Sequence, residues 1–381
     1  MRNLHKKLLA YLLSCIMLFS LLIVSPVAEM NTNAAEKSSD KKACWISFLD
    51  IEEILQDKTE KDFRTNVSAM YDNVVKYGMN TVIVHVRALG DAMYPSNYYP
   101  WAEYFTTNRN DPGYDPLQIM IELAHKKNLQ FEAWINPYRL SRDNESTVSF
   151  KITPYYKLFL PYTIEYKAAG NQTCLALDPA RQETRDLITN GVKEIVSNYD
   201  VDGIHFDDYF YVSGMADQLD VVSRKNYVNA LISQVYETIK SIKPNCTFGI
   251  SPAGNPDNAR TQGADIDTWL STPGYIDYIM PQIYWTDVYV TKSGAERMFT
   301  NRCKAWLQIN KRDIPLYVGL ALYRVGTTSN TDLGWSTSDT NLSYQYVTAK
   351  QLGYDGYALF RYQWLENDIA VGELNHLRTI N

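Results

Sequence analysis

Eight short apolar runs, most of them separated by longer amphipathic stretches, limit this 381-residue chain more than any other feature. The runs fall at 43–48 (ACWISF), 81–87 (TVIVHVR), 129–135 (LQFEAWI), 202–206 (DGIHF), 246–251 (CTFGIS), 276–284 (IDYIMPQIY), 315–323 (PLYVGLALY) and 356–360 (GYALF). Helical periodicity occupies roughly 60–77, 115–127, 181–199, 221–242, 293–310 and 340–352. Strands that alternate with helices build parallel sheets, and eight such units predict a closed α/β barrel, the (β/α)8 or TIM barrel, in a single domain over 42–381. A doubly wound open sheet is the competitor, but it prefers a glycine-rich first turn that this sequence lacks. The segments 88–114 and 141–178 are long for loops, which in a barrel points to the binding face.

Ahead of the barrel lies an export signature. Arg2, Lys6 and Lys7 precede an unbroken apolar run from Leu8 to Val24, and small residues follow, ending Asn33-Ala34-Ala35. Residues 1–35 read as a signal peptide cleaved near Ala34 or Ala35, with a retained N-terminal anchor as the alternative, and 36–41 as a short linker. The expected location is therefore secreted or cell-surface, with membrane contact only through an uncleaved leader. Cys44, Cys174, Cys246 and Cys303 are far apart in sequence and favour buried free thiols over a disulfide framework.

Composition narrows the partners. The formal charge of −6 argues against nucleic acid, whose phosphates need clustered Lys and Arg. Aromatics make up 13% of the chain, and 29 of them are Tyr, whose apolar face and hydroxyl suit a sugar ligand. There is no GxxxxGK[ST], GxSxG or HExxH, and the five His do not assemble a metal site by spacing, so neither metal nor organic cofactor is expected.

Strand alternation then sorts the side chains. Val82, Val84 and Val86 would face helices and leave His85 and Arg87 pointing into the barrel. Glu132, Trp134 and Asn136 oppose Phe131, Ala133 and Ile135. His205 and Asp207 oppose Ile204 and Phe206, and Gln282 and Tyr284 oppose Ile279 and Ile283. Polar groups thus converge mostly on the C-terminal strand ends, where barrel enzymes keep their sites. Charged groups there must satisfy one another or a ligand.

Asp207 and Asp208 close the fourth strand in VDGIHFDDYFY (201–211). Adjacent buried carboxylates repel, so one should titrate abnormally, as acid catalysis on a glycosidic oxygen requires. Asp208 could equally cap a helix, and the second carboxyl could instead be Asp91, Glu132 or Asp287. Asp202, ahead of the strand, is expected to meet backbone at the barrel bottom. His85 and His205 read as interior hydrogen-bond partners more than as ligands, and His205 and Glu132, facing inward, also count among the candidate substrate-binding residues. Tyr94, Tyr98, Tyr99, Trp101, Tyr323, Tyr362 and Trp364 follow strand ends and read as stacking platforms.

Five ordered motifs carry a family likeness: VRALGDAMYPS (86–96), FEAWINPYRLS (131–141), LDPARQETRD (177–186), VDGIHFDDYFY and YIMPQIYW (278–285). Together they resemble the glycosyl-hydrolase-like 10 family over roughly 42–365. The resemblance implies a (β/α)8 barrel with glycoside hydrolase activity, directed in at least one bacterial branch at peptidoglycan strands stripped of peptide. It implies Asp207 and Asp208 as catalytic acids, and Arg87, Asp91, Asn136, Gln282, Tyr284 and Trp285 as lining of the sugar groove. The chain has Glu132 where members often carry His, and His85 where they often carry Gln. DGIHFDDY also loosely resembles the fourth-strand signature of family 18 chitinases, but Tyr209 stands where their catalytic Glu would be. The expected function is an exported hydrolase of N-acetylhexosamine-containing polysaccharide. A non-catalytic carbohydrate-binding barrel and an α-glucan hydrolase are the alternatives.

Overall fold

The computed structural model describes residues 40–380, and the expected signal segment lies outside the described residues. The elements follow the alternating pattern. Strand β1 (Lys41–Ile46) leads into α1 (Phe48–Leu55) and α2 (Glu60–Lys76). Then come β2 (Thr81–Arg87), α3 (Pro116–Lys126), β3 (Gln130–Ile135), α4 (Asn144–Lys151) and α5 (Pro154–Phe159). The hairpin β4 (Thr163–Lys167)–β5 (Thr173–Leu177) precedes α6 (Gln182–Asn198), β6 (Gly203–Phe206), α7 (Val221–Ile242) and β7 (Thr247–Ile250). Short helices α8 (Pro256–Thr261) and α9 (Ile266–Trp269) lead to β8 (Tyr278–Ile279) and a small hairpin, β9 (Tyr289–Thr291)–β10 (Gly294–Glu296). The chain ends with α10 (Met298–Ile309), β11 (Val318–Leu320), α11 (Gly334–Thr337), α12 (Asn341–Leu352), β12 (Gly356–Leu359) and α13 (Val371–Thr379).

The main sheet is parallel, in the order β11-β12-β1-β2-β3-β6-β7-β8. Its two ends meet through parallel bridges Ile279–Leu316 and Gln282–Gly319, so the eight strands close into a barrel. All eight expected strands are present. Lys41, assigned from sequence to the linker, instead opens β1, where it pairs with Gly356 of β12 and with Glu132 inside the barrel.

Local chemistry accounts for the helix starts. Thr59, Asp115 and Asp220 accept backbone N–H groups of Asp62, Gln118 and Ser223, capping α2, α3 and α7. Two layers then separate as alternation requires. Ile46, Val82, Val84, Phe131, Ala133, Ile204, Phe206, Phe248 and Ile250 pack outward under the helices. Ala43, Trp45, Ile83, Trp134, Tyr278, Met280 and Ala358 fill the interior. Two glycines make that interior possible. A Cβ on Gly249 would lie 2.0–2.3 Å from the Tyr278 ring, and one on Gly203 would lie 3.0 Å from the Glu132 side chain. Asp202 accepts the Phe131 N–H at 2.7 Å and contacts His125 at 2.9 Å, tying the bottom of β6 to β3.

Candidate active site

A cavity of about 760 Å³ opens at the carboxyl ends of the strands, a size suited to a small ligand or part of a polymer. Its floor begins with β6. Because Ile204 and Phe206 face the helices, His205 and Asp207 face the axis, and Asp207 emerges at the mouth only 2% exposed. Trp134 Nε1 donates to its Oδ2 at 3.0 Å, Asn136 Nδ2 lies 3.2 Å from both oxygens, and the Tyr209 N–H donates at 3.2 Å. His85 Nε2 stands 3.9 Å away. The His85 ring stacks on Trp134 with centroids 3.3 Å apart, and its Nδ1 accepts the Phe48 N–H at 3.2 Å. That bond leaves the proton on Nε2, facing Asp207 without a hydrogen-bond partner. Burial holds the His85 pKa well below its ordinary value, so the ring is neutral.

Asp208 sits beside this cluster with one side-chain donor, Gln282 Nε2 at 3.2 Å; the same amide nitrogen also reaches the Ser251 carbonyl at 2.9 Å. Burial, followed by the neighbouring Asp207 charge, pushes the Asp208 carboxyl up to about 7. Burial also raises Asp207, but the Arg139 charge and the Tyr209, Trp134 and Asn136 donors pull against it. The environments therefore differ: burial raises both carboxyls, but Asp207 has the Arg139 charge and three donors working for its charged form, whereas Asp208 has the Asp207 charge working against its own and rises to about 7. That is the separation an acid and its charged partner need.

Aromatic walls flank the carboxylates. Tyr284, Tyr323 and Phe360 form one cluster, with the Tyr284 and Phe360 rings stacked at 6.0 Å. Phe48 and Tyr209 stand with Arg139, whose guanidinium lies 5.5 and 4.1 Å from their ring centroids. The long 141–178 segment contributes Arg142, Tyr166 and Cys174, so it does build the cavity. Cys44, Cys174, Cys246 and Cys303 are buried free thiols.

Of the site residues expected from sequence, Asp207, Asp208, Gln282 and Tyr284 line the cavity, and Asn136 lies beneath them, gripping Asp207. The others lie elsewhere. A register shift between His85 and Arg87 turns Arg87 away from the axis, against the Tyr99 ring at 4.7 Å. There it donates to the Asn136 and Pro137 carbonyls at 2.6 and 2.8 Å and holds the WINPYR turn. Asp91 is fully buried against a second cavity of about 210 Å³. Glu132 and His205 lie deeper, bonded to Lys41, Tyr278, Trp45 and Ser251. Trp285 packs near Arg302, and its carbonyl accepts from Gln345. Asp287 binds Thr300 and Tyr344 outside the main cavity. Tyr94, Tyr99 and Tyr362 are core residues, not platforms, whereas Tyr323 does line the cavity. Alternation already turned His85 and Trp134 inward, and Arg139 stood in WINPYR. Phe48 was read as the last residue of the first strand, but β1 ends at Ile46 and Phe48 opens α1, so strand alternation could not place it in the site.

No group of three or more His, Cys, Asp or Glu among the described residues could hold a metal ion. The cavity presents the Asp207 and Asp208 carboxyls between aromatic walls.

Known proteins share this frame. The endo-1,4-beta-mannanase from Rhizomucor miehei superposes with a TM-score of 0.54 at 12% identity, covering 90% of this chain and 95% of that one. The alpha-L-fucosidase isoenzyme 2 from Paenibacillus thiaminolyticus gives 0.54 at 14%, covering 90% and 49%. At such identities the likeness concerns the fold. Sequence relatives are nearer. "Glycosyl hydrolase YngK" of Bacillus subtilis (strain 168) is 35% identical over 340 residues, which span 79% of this chain but only 64% of that protein. "Glycosyl hydrolase DigH" of Escherichia coli (strain K12) is 35% identical over 304 residues, 69% of this chain and 67% of that one. The model of the "Glycosyl hydrolase-like 10" family matches residues 40–220 and 212–337, which hold β1, the two aspartates and the Gln282–Tyr284 wall. With barrel, motifs and relatives in agreement, the chain belongs to the glycosyl hydrolase-like 10 family.

Proposed function

We propose that this protein is an exported glycoside hydrolase that cuts N-acetylhexosamine-containing polysaccharide, namely peptide-free strands of bacterial cell-wall glycan. One observation carries the reading: two adjacent aspartates at the barrel mouth sit in environments that oppose each other, Asp207 ringed by N–H donors and Asp208 raised to about 7. Asp208 donates its proton to the departing glycosidic oxygen, while Asp207 stabilises the positive charge that develops at the sugar ring or on an acetamido group beside it. Trp134 and Asn136 fix the Asp207 carboxylate, and neutral His85 faces it without adding charge. The Tyr284–Tyr323–Phe360 wall supplies faces for sugar rings. The basic and apolar leader supports secretion or display at the cell surface.

The test is incubation with peptide-free glycan strands, followed by mass spectrometry of the products, alongside Asp207→Asn and Asp208→Asn variants. Oligosaccharides from the wild type and almost none from either variant support the reading. Equal release from all three, or binding without release of reducing ends, rejects it. A panel of α-glucans run in parallel distinguishes a storage-polysaccharide enzyme.

A further inference from the structure

The mouth holds a cation that the carboxylate pair does not use up. Arg139 lines the main cavity, yet among the described residues no carboxylate lies within ion-pair distance of it, and its buried Nε has no hydrogen-bond acceptor. An arginine present only to neutralise Asp207 would be expected to form a direct, often bidentate, pair with it. Instead the guanidinium carbon stands 4.1 Å from the Tyr209 ring centroid and 5.5 Å from that of Phe48, with the buried Nε still lacking an acceptor. A second cation stands at the rim. Arg142 lines the same cavity, its guanidinium 5.6 Å from the Phe48 ring centroid, and is tied only loosely to Asp143 at 3.4 Å and Glu52 at 3.9 Å. A buried donor without a partner is costly unless a ligand supplies the acceptor.

We propose that Arg139, with Arg142 at the rim, binds a carboxylate carried by the glycan itself, so that the enzyme selects acidic sugar chains over neutral ones. Two glycan chemistries present such a group: a lactyl ether on an amino sugar, free once peptide is removed, and a uronic acid. This inference rests on the glycan-cutting reading above and makes it more specific. Where the lactyl carboxyl is capped by an amide, as when peptide remains attached, the charge is lost and Arg139 has no anion to bind.

The experiment compares four oligosaccharides of equal length: a neutral N-acetylglucosamine oligomer, a lactyl-bearing amino-sugar oligomer with free carboxyl, the same oligomer amidated, and an alternating N-acetylhexosamine–uronate oligomer. Wild type should favour one or both free carboxylates over the neutral and amidated oligomers by about tenfold or more in kcat/KM, the scale of a charge-assisted hydrogen bond. Arg139→Gln should bring that ratio to within about threefold, and Arg139→Lys should keep part of it, as expected where charge survives and the planar fork does not. Which carboxylate is favoured identifies the source. The same four ligands are titrated by calorimetry into Asp208→Asn, so the anion site is judged even where nothing is cut. A wild-type ratio near one together with equal affinities overturns the anion site and leaves glycan cleavage standing. Preference in binding with no cleavage of any oligomer by the wild type supports the anion site and overturns the hydrolase reading.

Discussion

Two layers of the barrel interior draw on the same inward-facing strand positions and end differently. In the lower layer, Lys41 pairs with Glu132, which accepts the Tyr278 hydroxyl. Tyr278 meets His205 Nδ1 at 2.7 Å, and His205 Nε2 contacts Ser251 at 2.9 Å and the Trp45 indole at 3.3 Å. Every one of these groups has a partner. In the upper layer, His85 Nε2 and Arg139 Nε have no hydrogen-bond partner, and burial raises two neighbouring aspartates from their ordinary value, Asp208 up to about 7. A closed network can only hold the barrel together. An incomplete one, at an open mouth, is poised for a ligand. Depth along the strand, more than residue type, separates structure from chemistry here.

The contrast breaks first under exchange of function for stability. Asp208→Asn should lower glycan cleavage by about 10²–10⁴-fold, the range of general acid catalysis, while the melting temperature stays near that of the wild type. Glu132→Leu should do the reverse. Stranding Lys41 in the interior should cost about 3–5 kcal/mol, read by denaturant unfolding, with the rate per folded molecule within a few-fold of the wild type. The double change Lys41→Met/Glu132→Leu should recover most of that loss. If Glu132→Leu instead abolishes cleavage without unfolding the protein, the lower layer belongs to the site.

Gly249→Ala sharpens the comparison from the packing side. Its Cβ would meet the Tyr278 ring at 2.0–2.3 Å, so it should destabilise by about 1–3 kcal/mol, or more where the ring cannot move, with little change in kcat. Trp134→Phe is the milder probe of the mouth. It keeps a ring against His85 but removes one donor from Asp207, and should slow cleavage by about tenfold, the scale of a hydrogen bond to a charged group. A smaller effect concerns pH and folding. Because the folded Asp208 pKa lies near 7, above its ordinary value of 3.8, its proton favours the folded state. That contribution is complete below the ordinary carboxylate range and is lost as pH rises toward about 7. Asp208→Asn should therefore flatten the decline of stability between about pH 4 and 7, measured by urea unfolding.

Much of this was legible in the residues, for physical reasons. Parallel barrel strands are buried on both faces, so they stand out as apolar runs, and all eight were visible. Alternation also gave the inward set from Glu132 to Tyr284. It could not give the irregularities. The register shift that swings Arg87 out of the barrel leaves no trace in a period-two pattern. The β4–β5 hairpin is short and half polar, and was hidden in a segment read as loop. The stretch 293–310 read as one helix, but Gly294–Glu296 pairs with β9 before α10 begins at Met298. Pairing within the site was hidden for a different reason. Nothing in sequence says that Glu132 meets Lys41 while Asp207 meets Trp134 and Asn136, since both carboxylates face the same axis and differ only in height.

The most direct trial is the pH profile of oligosaccharide release by wild type and Asp208→Asn on one peptide-free glycan. A protonated Asp208 with a pKa near 7 requires wild-type kcat/KM to fall about tenfold per pH unit above neutrality, and requires the variant to be slow and to lack that limb. A variant that matches the wild-type rate, or a wild-type profile unchanged through pH 9, would contradict an acid at this position.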